Sequence, residues 1–365
     1  MRRQSFVLID GLKTVASQLI VLHHLVAYGP LPVALRSVIP GTVDWLYDYG
    51  RMAVQVFLVM GGFLAARTLA GSLSAPGASL TRLIGARYLR LALPFLAAMG
   101  VAIAAAAWAR PWLDADFVPV APTWTQWWAH VGLLHGVLGV PSLSAGVWYV
   151  AIDFQLFVLL ALLCRLGGVR RADAAAAGHG GAGHGGAGGD AAGPRPRAGA
   201  IVLVALVATA SLFAFNRDAG LDDWALYFFA AYGMGALVQW AMPGASLGRT
   251  VALMAALVAA AMVVDHRTRI VLAFATAAAL AWSRVRPIEA GRAGPWLRAF
   301  ADSSYALFLI HFPVCMVVVA LYVRSGAQGP AAAFAALLLA WVASNAAGFA
   351  FHRWVERPVL RRRTT

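Results

Sequence analysis

The stretch IDGLKTVASQLIVLHHLVAY, residues 9–28, is long and apolar enough to lie in lipid, yet it carries Lys13 near its start and His23 and His24 past its middle. A membrane-crossing helix needs about 20 mostly apolar residues, so the run predicts a span. Ionisable side chains at bilayer depth cost about 2.5–3.5 kcal/mol even on lenient insertion scales, and they usually face a bundle interior and mark a functional site. Lys13 and His24 are eleven residues apart, about three helical turns with about 20° of residual rotation, so they share one face about 16 Å apart along the axis. His23 points about 100° away from His24 and is expected to make a structural hydrogen bond.

The rest of the chain fits a membrane setting. Of 365 residues, 61% are hydrophobic and 12% charged, and mean hydropathy is +0.73. This excludes an ordinary soluble domain. Ten apolar runs, near 7–28, 52–70, 89–109, 146–165, 200–216, 222–241, 247–264, 269–284, 302–323 and 333–354, predict an all-α polytopic membrane protein with about ten transmembrane helices in one bundle. Residues 1–165 hold the first four helices, the candidate site and a Trp-rich loop at 110–145 read as interfacial or re-entrant. Residues 166–199 form a Gly/Ala-rich linker that cannot bury enough apolar surface to fold, and residues 200–365 hold the remaining helices. The first run lacks a small-residue cleavage pattern after it and is expected to persist as the first span.

Charge placement gives an orientation. With the N-terminus in the cytoplasm, only Arg36, Arg51, Arg110, Arg217, Arg267, Arg269 and Arg324 of the 29 Lys and Arg residues fall outside. That bias predicts a multi-pass protein of the inner (cytoplasmic) membrane with both termini cytoplasmic. The formal charge of +14 has no basic face interleaved with aromatics, so no nucleic-acid partner is expected. Cys164 and Cys315 both sit in apolar runs and predict neither a disulfide framework nor a metal site. His179 and His184 in the linker lack the companion ligands a metal would need.

Buried ionisable residues then narrow the function. A cation at one interface and an imidazole near mid-membrane on the same face suit a ligand with an anionic head and a reactive end that reaches inward, as in acyl coenzyme A. Lys13 would meet phosphate as a point charge, and neutral His24 would serve as general base. The other reading has Lys13 snorkelling to the interface and His24 bonding a neighbouring helix. Asp153, about two turns into its span, must be protonated or paired, and His24 is a candidate partner at similar depth. Trp127, with Trp124 and Trp128, either stacks on a sugar acceptor or anchors the loop at the interface, and anchoring is the favoured reading.

Several stretches together resemble the membrane acyltransferase 3 family of bacterial integral-membrane O-acyltransferases. IDGLKTVASQLIVLHH is similar to its first-helix pattern, with Lys13 at the Arg position and His24 at the His position. VQVFLVMGGFL at 54–64, ARYLRLALPF at 86–95, VWYVAIDFQLF at 147–157, SSYALFLIHFPV at 303–314 and WVERPV at 354–359 resemble further signatures in the expected order. Here Asp153 stands in a Glu place, Gly61 in a Ser place, and Ala86 thins a basic cluster to Arg87 and Arg90.

The resemblance implies transfer of an acyl group, acetyl in the simplest case, from cytoplasmic acyl coenzyme A to a hydroxyl of an extracytoplasmic glycan, lipid-linked sugar or small molecule. In that reading Lys13, Arg87 and Arg90 hold donor phosphates, His24 removes the hydroxyl proton, and Asp153 orients the imidazole. Trp148 and Trp127 are acceptor-side candidates. His311, in FLIHFPV, is placed by its motif, with packing in an aromatic-rich helix favoured over a role in the chemistry. Glu356 and Arg357 are expected to pair with each other. A multi-pass transporter or flippase and a non-catalytic relative are the alternatives: sparse charges among the spans suit a carrier, although the sequence has no inverted repeat.

Overall fold

The computed structural model describes residues 7–361 apart from 76, 115, 169–195, 287, 289, 290, 292 and 293. Most of the Gly/Ala-rich linker, with His179 and His184, lies outside the described residues. The helices are α1 Val7–Ala27, α2 Leu31–Arg36, α3 Pro40–Tyr49, α4 Val54–Ser74, α5 Leu80–Ala109, α6 Trp124–Val131 and α7 Trp148–Gly167. After the linker come α8 Ala198–Phe213, α9 Ala225–Trp240, α10 Ala245–Val264, α11 Thr268–Val285, α12 Gly294–Arg324, α13 Pro330–Phe351 and α14 Arg357–Arg361. The described residues contain no β-strand.

A helix occupies each of the ten apolar runs, and eight helical segments are long and apolar enough to cross a membrane. The two runs that fall short do so for physical reasons. α1 has the length, but Asp10, Lys13, Gln18, His23 and His24 dilute its hydropathy. α9 has only 16 residues, about 24 Å of helix against a hydrocarbon core of about 30 Å. It reaches neither lipid nor water over most of its surface, being packed by α4, α7, α8 and α11 and buried at 13 positions.

Glycine makes that central packing possible. A side-chain carbon on Gly62 of α4 would lie 1.8 Å from the carbonyl oxygen of Tyr232, and one on Gly235 of α9 would lie 1.9 Å from that of Val59. The two backbones therefore touch, the arrangement small residues allow where no hydrophobic drive separates helix from lipid. Trp240 Nε1 donates to the Ala66 carbonyl at 3.1 Å, and Arg284 of α11 donates to the Val238 and Ala241 carbonyls, satisfying acceptors at the α9 C-terminus that its own helix leaves open.

Among its described residues the Trp-rich loop contains no helix long enough to cross. α6 is eight residues, opened by a capping box between Thr123 and Gln126. Beyond it the chain folds back onto the bundle. His130 bridges the turn, donating from Nδ1 to the Gln126 carbonyl at 2.7 Å and accepting the Leu143 N–H on Nε2 at 3.1 Å. The buried His135 ring stacks on it at 4.1 Å, and burial, with the His130 ring as neighbour, pushes His135 down to about 4, so it stays neutral. This fold-back carries Gly146 against His24 of α1 and places Ser144 on the lining of the cavity there.

Candidate functional site

α1 packs along α12, and that contact sets the centre of the site. His24 and His311 are 8% and 0% exposed, and His311 Nε2 lies 3.1 Å from His24 Nδ1. The partners decide where the protons sit. His311 Nδ1 faces only carbonyl oxygens, Leu307 at 3.1 Å and Phe308 at 2.9 Å, so it must carry the hydrogen, and Nε2 of the neutral ring is then an acceptor. His24 Nδ1 faces the Ile20 carbonyl at 2.9 Å and that acceptor nitrogen, so it too must donate. His24 Nε2 is left with a bare lone pair. It points toward Gly146, where a side-chain carbon would sit 3.6 Å from Nε2 and 3.4 Å from Cε1. Gly146 has φ +79°, a conformation that favours glycine, and its missing side chain leaves the imidazole edge open.

Two cavities approach this centre from opposite ends of α1. One, of about 540 Å³, is lined by His23, His24, Tyr28, Arg51, Trp148 and Arg269 among others. The second, of about 170 Å³, is lined by Lys13, Arg87, Arg90, Asp153, Tyr305 and Glu356, and a neighbouring space of about 350 Å³ shares Lys13, Arg90, Tyr305 and Glu356. Phe308 lines both main cavities, and Tyr149 meets its ring edge to face at 5.4 Å. Phe308 is thus common to the basic cavity and the cavity that holds the imidazole.

The expected residues fall on these walls as follows. Lys13, Arg87, Arg90 and Asp153 line the basic cavity, and Trp148 and His24 the other. Asp153 takes a different partner from the one expected: its carboxylate accepts from Arg87 of α5, whose guanidinium also lies 5.3 Å from the Phe157 ring centre. A long Arg side chain satisfies a carboxylate in apolar surroundings better than a neutral imidazole can, because it cancels the charge. His311, expected chiefly to pack, orients His24 in its place. Glu356 pairs with His352 at 2.7 Å within the π-helical turn His352–Glu356, and Arg357 was the partner expected. Trp127 is half-buried against the core and lines neither cavity, while Trp124 and Trp128 are exposed at 80% and 65%, as anchors would be. At Gly61 a side-chain carbon would lie 3.1 Å from the Tyr232 ring and 3.3 Å from Asp153 Oδ1, so these two residues fill the space that serine would take.

Sequence reasoning missed Tyr149, Phe308, Gly146 and Arg51. Tyr149 and Phe308 sit inside the quoted motifs, but nothing in a one-dimensional pattern distinguishes an aromatic that lines a cavity from one that packs. The Asp153–Arg87 pair yields a prediction of its own. Asp153→Asn leaves Arg87 charged and unpaired, and breaking a buried pair costs about 3–5 kcal/mol. The loss should fall at the lower end because the Arg87 side chain keeps 23% of its exposure. The double variant Asp153→Asn, Arg87→Met should recover most of it, read as thermal unfolding in detergent.

An all-helical bundle with eight segments long and apolar enough to cross a membrane, and with two cavities that share Phe308, has the architecture of a polytopic membrane protein. The chain belongs to the membrane acyltransferase 3 family: the family model, described as an acyltransferase domain, matches residues 6–345. Comparison with curated proteins and with solved structures gave no significant match.

Proposed function

We propose that the protein moves an acyl group, acetyl in the simplest case, from acyl coenzyme A to a hydroxyl on a glycan, lipid-linked sugar or small molecule across the inner membrane. Both termini and the basic cavity face the cytoplasm in this reading, and the His24 cavity faces outward. The observation that carries it is the hydrogen bonding of His24, which leaves Nε2 as an unprotonated acceptor open to the larger cavity. Lys13 and Arg90 hold the anionic part of the donor, while Arg87 is held in place by Asp153 and adds positive potential behind them. The pantetheine arm carries the thioester past Phe308 and Tyr149.

The acceptor hydroxyl then gives its proton to His24 Nε2 as its oxygen attacks the thioester carbonyl, forming a tetrahedral oxyanion. Collapse breaks the carbon–sulfur bond, and the thiolate leaves with the proton returned by the imidazolium. His311 is a positioning residue: its Nε2 accepts the Nδ1 hydrogen that rises in acidity when His24 becomes charged, the role a carboxylate fills in a Ser-His-Asp triad. His311→Ala is expected to lower kcat about 10²-fold through loss of alignment, leaving donor KM unchanged. His311→Asn, which keeps an acceptor, should restore part of the rate. A kcat equal to wild type in His311→Ala would remove His311 from the mechanism.

The direct test uses purified protein in liposomes with acetyl coenzyme A, following free thiol with and without envelope glycan extract. Thiol release that depends on the extract, together with an acyl-sized mass gain in cells carrying the gene over cells without it, supports the reading. Absence of both refutes it.

A further inference from the structure

The larger cavity has the chemistry of a sugar site with a charge at its mouth. One wall is aromatic: Trp148 and Phe228 stack at 5.5 Å with planes 24° apart. Ser144, 2% exposed, also lines it, and its hydroxyl has no partner among the described residues. A buried hydroxyl without a partner is destabilising, and a polar ligand would satisfy it. Two cations lie on the rim. Arg269 is held by the Asn216 carbonyl at 2.9 Å and lies 4.9 Å from the Tyr227 ring centre.

Arg51 is the exposed one, with no carboxylate partner among the described residues. Its position is built into the fold. Gly50 comes so close to α1 that a side-chain carbon there would lie 2.9 Å from His23 Cβ, which seats the turn carrying Arg51 beside the histidines. The opposing charge on the lining is Asp222, an exposed carboxylate whose pKa is raised by partial burial and the adjacent Asp223 and lowered by Arg269, which lines the same cavity.

We propose that the acceptor is an anionic sugar, a saccharide bearing a carboxylate or phosphate near the hydroxyl to be acylated, with its ring against Trp148 and Phe228 and its charge on Arg51. This rests on the acyltransferase reading and narrows its substrate class. Guanidinium suits both carboxylate and phosphate, because its planar fork donates two parallel hydrogen bonds to either. The anion therefore comes either from the sugar itself or from the diphosphate of a lipid carrier.

The test is equilibrium binding to the full chain in nanodiscs of three labelled probes: a disaccharide ending in glucuronic acid, the same disaccharide ending in glucose, and the glucose form on a polyprenyl diphosphate. At least one anionic probe is expected to bind about tenfold or more tightly than the neutral one, as a charge-assisted contact allows. Arg51→Gln should erase the difference, Arg51→Lys keep part of it, and Asp222→Asn strengthen it. Preference for the glucuronate places the anion on the sugar, and preference for the diphosphate alone places it on the carrier. The proposal is overturned if the neutral disaccharide binds as well as both anionic probes, if no probe binds, or if Arg51→Gln leaves the preference intact while the protein still elutes as a folded species. Charge-selective binding without any acyl transfer would refute the acyltransferase reading alone, and transfer to neutral and anionic acceptors at equal rates would refute this one alone.

Discussion

Replacing His24 with alanine is expected to lower the rate of acyl transfer about 10²–10⁴-fold, the range that a positioned general base contributes. Protein abundance in the membrane should remain near normal. His24 is the end of a hydrogen-bonded chain, so its removal leaves His311 Nε2 without a donor but creates no unpaired charge. Its Nε2 is the one nitrogen of the pair that is not committed to a carbonyl or to the other ring. His24→Gln offers a carbonyl oxygen of similar reach but negligible basicity, so it should be as slow as alanine. Single-turnover measurement with acetyl coenzyme A distinguishes this from a binding defect: in the proposed function the donor is held in the other cavity, lined by Lys13 and Arg90, so its affinity should be unchanged. Full activity in either variant would discard His24 as the base.

The second large effect concerns stability. Gly62→Ala is expected to abolish the folded protein, because the added carbon would lie 1.8 Å from the Tyr232 carbonyl oxygen, a backbone atom that cannot swing aside. Overpacking by side chains typically costs about 1–3 kcal/mol, and here α4 and α9 must separate along their shared length, so the loss should reach or exceed that range. Gly71→Ala is the control. It lies on the same helix with nothing within 4 Å, and replacing an exposed helical glycine gains up to about 1 kcal/mol. Fluorescence-detected size exclusion after heating should show aggregation for the first and a profile equal to or better than wild type for the second. A monodisperse Gly62→Ala protein would mean that the two helices are not held as described.

These expectations also mark which properties one dimension carries. Every apolar run is a helix because the length of lipid and the need to satisfy each backbone group internally leave no other solution. The Lys13–His24 register follows from 3.6 residues per turn alone, and α1 runs unbroken through both. Partner choice across helices does not follow from such rules. Spacing along the spans suggests similar depths for Asp153 and His24, yet Asp153 pairs with Arg87 and lines a different cavity from His24, a choice that no feature of the sequence fixes. His311 was visible in its motif, but its role depends on α12 lying against α1. Likewise α9 has the composition of a lipid-facing span and becomes an interior helix because Gly62 and Gly235 admit its backbone.

Phe308 lines both main cavities, with Tyr149 packed edge to face against it. In the proposed function, where the two cavities open on opposite sides of an energised bilayer, this aromatic pair would narrow the passage to the width of an acyl arm, so that group transfer would not open a wide aqueous route for ions and the host would keep its membrane potential.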